Sequence, residues 1–130
     1  MAYVGTVTID LKTVSGRRCA IVSVAETGAS STDEATISLP WLLGVIVDFE
    51  ATLTAGDGAT IQPKFGTTTG WTTDTQAHMG LQTTRAAHVR DQTRWAFQAS
   101  ASHQIFLRSQ AASGSNNAIS SRIVILEGAE

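Results

Sequence analysis

The sequence predicts an all-β chain: a single antiparallel β-sandwich domain of about eight strands over residues 1–130. Three observations carry that expectation. Apolar residues recur at every second position in several runs, the period of a strand with one buried face. Threonine, valine, serine and alanine dominate while lysine occurs only at Lys12 and Lys64, so windows rich in helix-forming Glu, Lys and Leu are missing. Turn-forming clusters separate the runs at intervals of about 8–15 residues, without the strand–helix–strand alternation of a parallel α/β fold.

The first run places Val7, Ile9 and Leu11 on one face and Thr8, Asp10 and Lys12 on the other, up to a turn at Ser15 and Gly16. Cys19 to Ala25 follows as a strand nearly continuous in small apolar residues, which predicts cover on both faces. Glu26 to Asp33 contains Gly28 and several hydroxyl residues and reads as a loop. Ala35, Ile37 and Leu39 alternate with Thr36 and Ser38 before Pro40.

The clearest alternation sets Val45, Val47, Phe49, Ala51 and Leu53 against Ile46, Asp48, Glu50, Thr52 and Thr54. Gly56, Asp57 and Gly58 tolerate positive φ and mark a turn. With Ala59, Ile61, Pro63 and Phe65 beyond it, the pattern predicts a hairpin from Val45 to Phe65. Pro63 cannot donate to a ladder, which places its strand at an edge or a bulge.

Gly66 to Gln76 is a Thr/Gly-rich loop around Trp71. His78 to Thr83 reads as a short strand, and Thr84 to Gln92 as a loop or single helical turn. Arg94 to Ala99 and Gln104 to Ser109 read as strands joined by a hairpin connection, Ser100 to His103. After a small polar loop, Ile119, Ile123 and Ile125 face one way and Val124 and Leu126 the other. A jelly roll or related Greek-key sandwich fits this series best.

Composition narrows the function classes. The chain is 42% hydrophobic and 15% charged, with a net charge of -2. That balance speaks against nucleic-acid binding, which needs a basic face, and against a polybasic membrane anchor. The N-terminus lacks a basic segment followed by a long apolar one, and the apolar run from Leu42 to Val47 is far too short to span a bilayer. A soluble protein made in a cytoplasm is the expectation. A single cysteine, Cys19, excludes an intramolecular disulfide and reads as a buried small hydrophobe.

Motifs that carry chemistry are sparse. His78, His88 and His103 have none of the short spacings of metal ligands, and separate surface or interface histidines are expected. Asp48 and Glu50 share one strand face, as acid/base pairs do, but also as solvated strand faces do. Asp57 and Asp74 lie outside any EF-hand spacing. No catalytic residue, cofactor or metal is assigned, and no enzyme is expected. Arg85, Arg90 and Arg94, with Asp91, form the one charge-dense stretch, read either as local ion pairs or as an intersubunit contact. Trp41 reads as core or subunit seam and Trp95 as core. Trp71, alone among threonines and glycines, reads as a platform for a partner or sugar, or as folded back on its own domain. Tyr3 and Val4 lie in residues 1–6, a candidate extended arm that adds a strand to a neighbour.

Several segments together bear on family. They are Pro40-Trp41 leading into Val45 to Thr54 and then Ala55 to Pro63; Ala86-Ala87-His88 ahead of Asp91-Gln92-Thr93; Ile105 to Ser109; and Asn116-Asn117 before the final Ile119 to Gly128 run. In these the chain resembles small jelly-roll structural proteins of tailed bacteriophages, and is most similar to capsid decoration (cement) proteins. The resemblance implies a homotrimer on the outer capsid surface of the virion, bound to the major capsid protein and stabilising the shell, with no active site. Similar jelly rolls serve in tails, collars and fibres, where binding of a carbohydrate or receptor, here through Trp71, is the alternative.

Overall fold

The computed structural model describes residues 3–29, 33–55, 60–61, 64–67, 85–86, 88–109 and 117–128. Their eleven strand segments are β1 (Val4–Val14), β2 (Arg17–Ala29), β3 (Ala35–Ser38), β4 (Leu43–Ala55), β5 (Thr60–Ile61), β6 (Lys64–Gly66), β7 (Arg85–Ala86), β8 (His88–Asp91), β9 (Trp95–Gln98), β10 (Gln104–Arg108) and β11 (Asn117–Glu127). No helix occurs among the described residues. The fold is the all-β antiparallel sandwich that the alternation predicts.

One sheet runs β1-β2-β11-β4-β8, with β9 also on β4; the other runs β3-β10-β6, and β5 pairs with β7. Every pairing is antiparallel. β8 and β9 share the long β4 strand, β9 at residues 43–46 and β8 at residues 49–52.

The β1–β2 hairpin follows directly from its turn. Ser15 (φ 52) and Gly16 (φ 79) both take positive φ, the requirement of a type I′ connection that matches strand twist. The register then holds without a shift from Val4↔Thr27 to Val14↔Arg17.

The core lies between the two sheets. Val22 and Val24 of β2, Phe49 and Ala51 of β4, and Ile119, Ile123 and Ile125 of β11 meet Ile37, Phe65, Ile105 and Leu107 from the smaller sheet. Phe49 and Phe65 join the layers edge to face, centroids 5.3 Å apart, and Trp95 continues the aromatic row at 6.1 Å from Phe65. Each fully buried side chain of this size contributes about 1.5–3 kcal/mol relative to exposure. Trp41 is buried in the same core and Trp95 packs at its margin, as expected of both.

The local geometry corrects several readings. First, β2 is covered on both faces only at its start, where Cys19 and Ala20 are buried and Ile21 half-buried; beyond that it alternates, with Val22 and Val24 buried while Ser23 and Ala25 are exposed. It also runs to Ala29, so the loop expected from Glu26 begins later. Second, β4 is not one uninterrupted alternation. The pairing with β11 skips Val47, between Asp48↔Val124 and Ile46↔Ile125, and this bulge reverses the phase. Ile46 therefore joins Phe49 and Ala51 in the core.

Third, β4 does not form a hairpin with the strands after it. Its neighbours are β11, β8 and β9, while β6 pairs with β10 in the other sheet. Alternation reveals which face of a strand is buried but not which strand lies beside it. The turn residues 56–59 lie outside the described residues. Fourth, residues 88–91, read as a loop or helical turn, form β8.

Residues 100–103 likewise carry the chain between sheets, from β9 on β4 to β10 on β3, instead of closing a hairpin. The crossing is held by backbone bonds from His103 N to Ser100 O (2.8 Å), Ser100 N to Gln104 O (3.0 Å) and Leu39 N to His103 O (2.9 Å).

Candidate interaction surfaces

Sequence analysis singles out Tyr3, Val4, Trp71, Arg85, Arg90 and Arg94, and the structure does not gather them in one place. Trp71 lies outside the described residues, as do His78, Asp57 and Asp74. Arg85 is described only by its backbone, opposite Ile61 in the β5–β7 pair.

Val4 to Thr6, expected in an extended arm, are the first residues of β1 and pair with residues 25–27 of β2. Tyr3 is half-buried against the core, and its hydroxyl donates to Glu26 Oε2 at 2.9 Å. Ser109 Oγ donates to Glu26 Oε1 at 2.5 Å. Two hydroxyls thus hold a carboxylate that is 2% exposed. Burial pushes the Glu26 carboxyl up from its ordinary value, and the two hydrogen bonds oppose the rise. Burial, followed by the neighbouring Glu26 charge, drives the Tyr3 phenol well above its usual range. The trio ties the start of β1 and the end of β10 to β2.

Sequence reasoning placed Glu26 in a loop and missed this trio. The signal was present: the phase of Ala20, Val22 and Val24 continues to Glu26, which predicts an inward side chain.

The Asp48–Glu50 face of β4 is a strip of ion pairs. Arg90 reaches Asp48 with two nitrogens, Nε–Oδ1 at 3.3 Å and Nη2–Oδ2 at 3.1 Å. His88 Nε2 lies 2.9 Å from Glu50 Oε2. Arg90 and His88 both sit on β8, each diagonally across from the carboxylate it contacts. Arg90 stays half exposed on this strip, and Arg94 is exposed in the link to β9. Hydrogen bonding from Asp48 raises the Arg90 guanidinium further, so it carries its charge at any physiological pH. His88 belongs to this strip, whereas His103 occupies the inter-sheet crossing at φ 59, a left-handed conformation histidine tolerates better than most residues.

Cys19 is buried, and desolvation raises its thiol, the state of an inert core cysteine. At the same end of the larger sheet Arg18 donates to the Glu127 carboxylate through Nε and Nη2, the first at 2.9 Å, and its guanidinium stands 5.3 Å from the Trp41 ring centre. Arg17 Nε donates to the Glu127 carbonyl at 2.5 Å.

The exposed apolar side chains have a pattern. Val4 (56%), Leu11 (50%) and Val14 (57%) all lie on β1; the other large exposed hydrophobics of the described residues, Leu42 and Leu43, lie at the start of β4. β1 is the terminal strand of its sheet, and among the described residues no strand pairs with its outer edge.

No family model matches the chain, and no curated protein does. Among solved structures, the chain is similar to the CBM22-1 xylan-binding domain of Paenibacillus barcinonensis Xyn10C, at 12% identity and a TM-score of 0.47, over 98% of this chain and 87% of that one. It is also similar to a chain of the cyanophage Pam1 capsid asymmetric unit, at 16% identity and a TM-score of 0.43, over 95% and 86%. Neither likeness transfers a role to this protein. No helix among the described residues is long and apolar enough to cross a membrane.

Proposed function

We propose that this chain is a structural virion protein of a tailed phage, a decoration protein that binds the outer capsid through the major capsid protein and stabilises the shell. The observation that supports it is β1, an eleven-residue edge strand bearing three half-exposed apolar side chains. Monomeric proteins blunt such edges with proline, bulges, charge or short length. β1 has no proline, no bulge and only Asp10 and Lys12 as charges. An edge of this length, open among the described residues, is suited to assembly with other chains. The resemblance of Pro40 to Pro63, Ile105 to Ser109 and Ile119 to Gly128 to phage jelly rolls supplies the setting.

The role is structural, without catalysis or a cofactor, and many weak contacts repeated by lattice symmetry supply avidity. The test is co-expression with the major capsid protein encoded in the same gene cluster, followed by sedimentation of assembled heads. The chain is expected to co-sediment at a fixed ratio and raise the temperature at which heads release DNA. Heads that exclude it, or a gene cluster without a capsid gene, overturn the proposal.

A further inference from the structure

The geometry points to a second copy of this chain as the occupant of the β1 edge, paired antiparallel strand to strand about a two-fold axis through Ile9. In order, β1 reads Val, Gly, Thr, Val, Thr, Ile, Asp, Leu, Lys, Thr, Val. Its apolar residues fall at 4, 7, 9, 11 and 14, a pattern that reads the same in both directions about Ile9.

Antiparallel pairing of a strand with its own copy sets residue i opposite residue j with a constant sum. With the sum at 18, Val4 meets Val14 of the second copy, Val7 meets Leu11, and Ile9 meets Ile9. Polar residues then face polar ones: Thr6 opposite Lys12, and Thr8 opposite Asp10. All eleven residues are paired. Residues directly opposite on antiparallel strands share a sheet face, so the match holds on both faces at once.

Neighbouring registers fail on this same sequence. A sum of 16 sets Val4 against Lys12. A sum of 20 sets Asp10 against Asp10, a like-charge contact on the axis. A sum of 22 leaves Val4, Gly5, Thr6 and Val7 unpaired and places Val14 against Thr8. Any odd sum turns the apolar face of one strand onto the polar face of the other. The chosen register also preserves the ion pair of Lys12 with Asp10 (3.2 Å) within each chain.

β1 is prepared for this. Its register with β2 runs without a shift, so its outward N–H and C=O groups recur at every second residue, a regular template. A two-fold contact consumes both copies of that edge and closes, so assembly through it stops at two. The pair joins two six-stranded sheets edge to edge. This two-fold partner stands in place of the trimer implied by the phage resemblance.

The inference rests on reading β1 as an assembly edge, and its failure is separable from failure of the virion role: a dimer that ignores heads keeps this and removes that, and a head-binding monomer does the reverse. Light scattering on the purified full chain is expected to give twice the 13.7 kDa chain mass. V4D/V14D places like charges opposite each other at both ends of the ladder and is expected to weaken the dimer by about 30-fold. V4D/V14K places opposite charges there and is expected to restore it, with circular dichroism unchanged in both. V4T/V14T keeps strand-forming side chains, removes only apolar contact, and is expected to weaken the dimer to a lesser degree. A natural chain that is monomeric at several hundred micromolar or has three times the chain mass overturns the inference. So does V4D/V14K pairing no better than V4D/V14D, or V4T/V14T pairing as tightly as the natural chain.

Discussion

Tyr3→Phe isolates a single hydroxyl at the point where β1 joins the domain. The ring and its packing stay, and Glu26 loses one of two donors. Glu26 is 2% exposed, so water does not replace the lost bond. A buried acceptor left without its donor costs about 1–3 kcal/mol, and at 2.9 Å this bond is of ordinary length, so a loss of about 2 kcal/mol is expected. For a chain of this size that lowers Tm by about 6–10 °C. Urea unfolding at pH 7, followed by tryptophan fluorescence, measures it. The pH dependence adds a second readout. The folded phenol titrates above its ordinary value of 10.0, whereas in the unfolded chain it titrates near that value. Its contribution is therefore complete below pH 10 and lost as pH rises through the folded value. The natural chain should lose stability above pH 10, and Tyr3→Phe should lose less. A change under about 0.5 kcal/mol at pH 7, with no difference in the alkaline limb, refutes the anchoring role, since a buried acceptor deprived of a donor costs more than that. An undiminished stability combined with weakened self-association would return Tyr3 to the partner-binding role expected from sequence.

Other substitutions probe the remaining features. A Cβ at Gly44 would stand 2.7 Å from Phe97 Cζ and 3.0 Å from Trp41 Nε1, so Gly44→Ala is expected to cost about 1–3 kcal/mol by overpacking, read in the same urea assay. Ser121 Oγ is buried without a hydrogen-bond partner, so Ser121→Ala is expected to raise stability by about 1 kcal/mol; a loss would show that the hydroxyl has a partner. The Arg18 hydrogen bonds hold the Glu127 carboxyl below its ordinary 4.5. That contribution exists above pH 4.5 and disappears as pH falls through the folded value, so Glu127→Gln should flatten the acid limb of a Tm–pH curve. Glu26 has the opposite sign. Burial raises it, so stability is lost as pH climbs from 4.5 through its folded value, and Glu26→Gln should remove that decline.

The sequence disclosed faces better than neighbours. The buried sides of Ala35 and Ile37, of Phe49 and Ala51, and of Ile119, Ile123 and Ile125 were legible because period two maps directly onto inside and outside. Pairing was less legible, since β4 meets β11 across more than sixty residues of chain and nothing local in residues 43–55 names that partner. The phase change at Val47 escaped for a related reason. A bulge is a relation between two strands, and one strand read alone shows only an unbroken apolar run. Residues 88–91 lacked a β-rich composition, and their strand is defined by its ladder with β4 and by Val89, buried in the core. At the surface, Val4, Arg90 and Arg94 are exposed, whereas Tyr3, expected with Val4 in an extended arm, points inward because its partner, Glu26, is itself an inward-facing acid.

The placement of β1 and β11 on either side of β2 has a mechanical consequence. Both run antiparallel to β2 and hence parallel to each other, so Val4 and Glu127 lie at opposite ends of the same three-strand ribbon. Tension between them pulls β1 and β11 along the strand axis in opposite directions. The two ladders are then loaded in shear, where many backbone hydrogen bonds must yield together, and not in peeling, where they yield one at a time. Such a ribbon yields along its own axis only when both ladders break together.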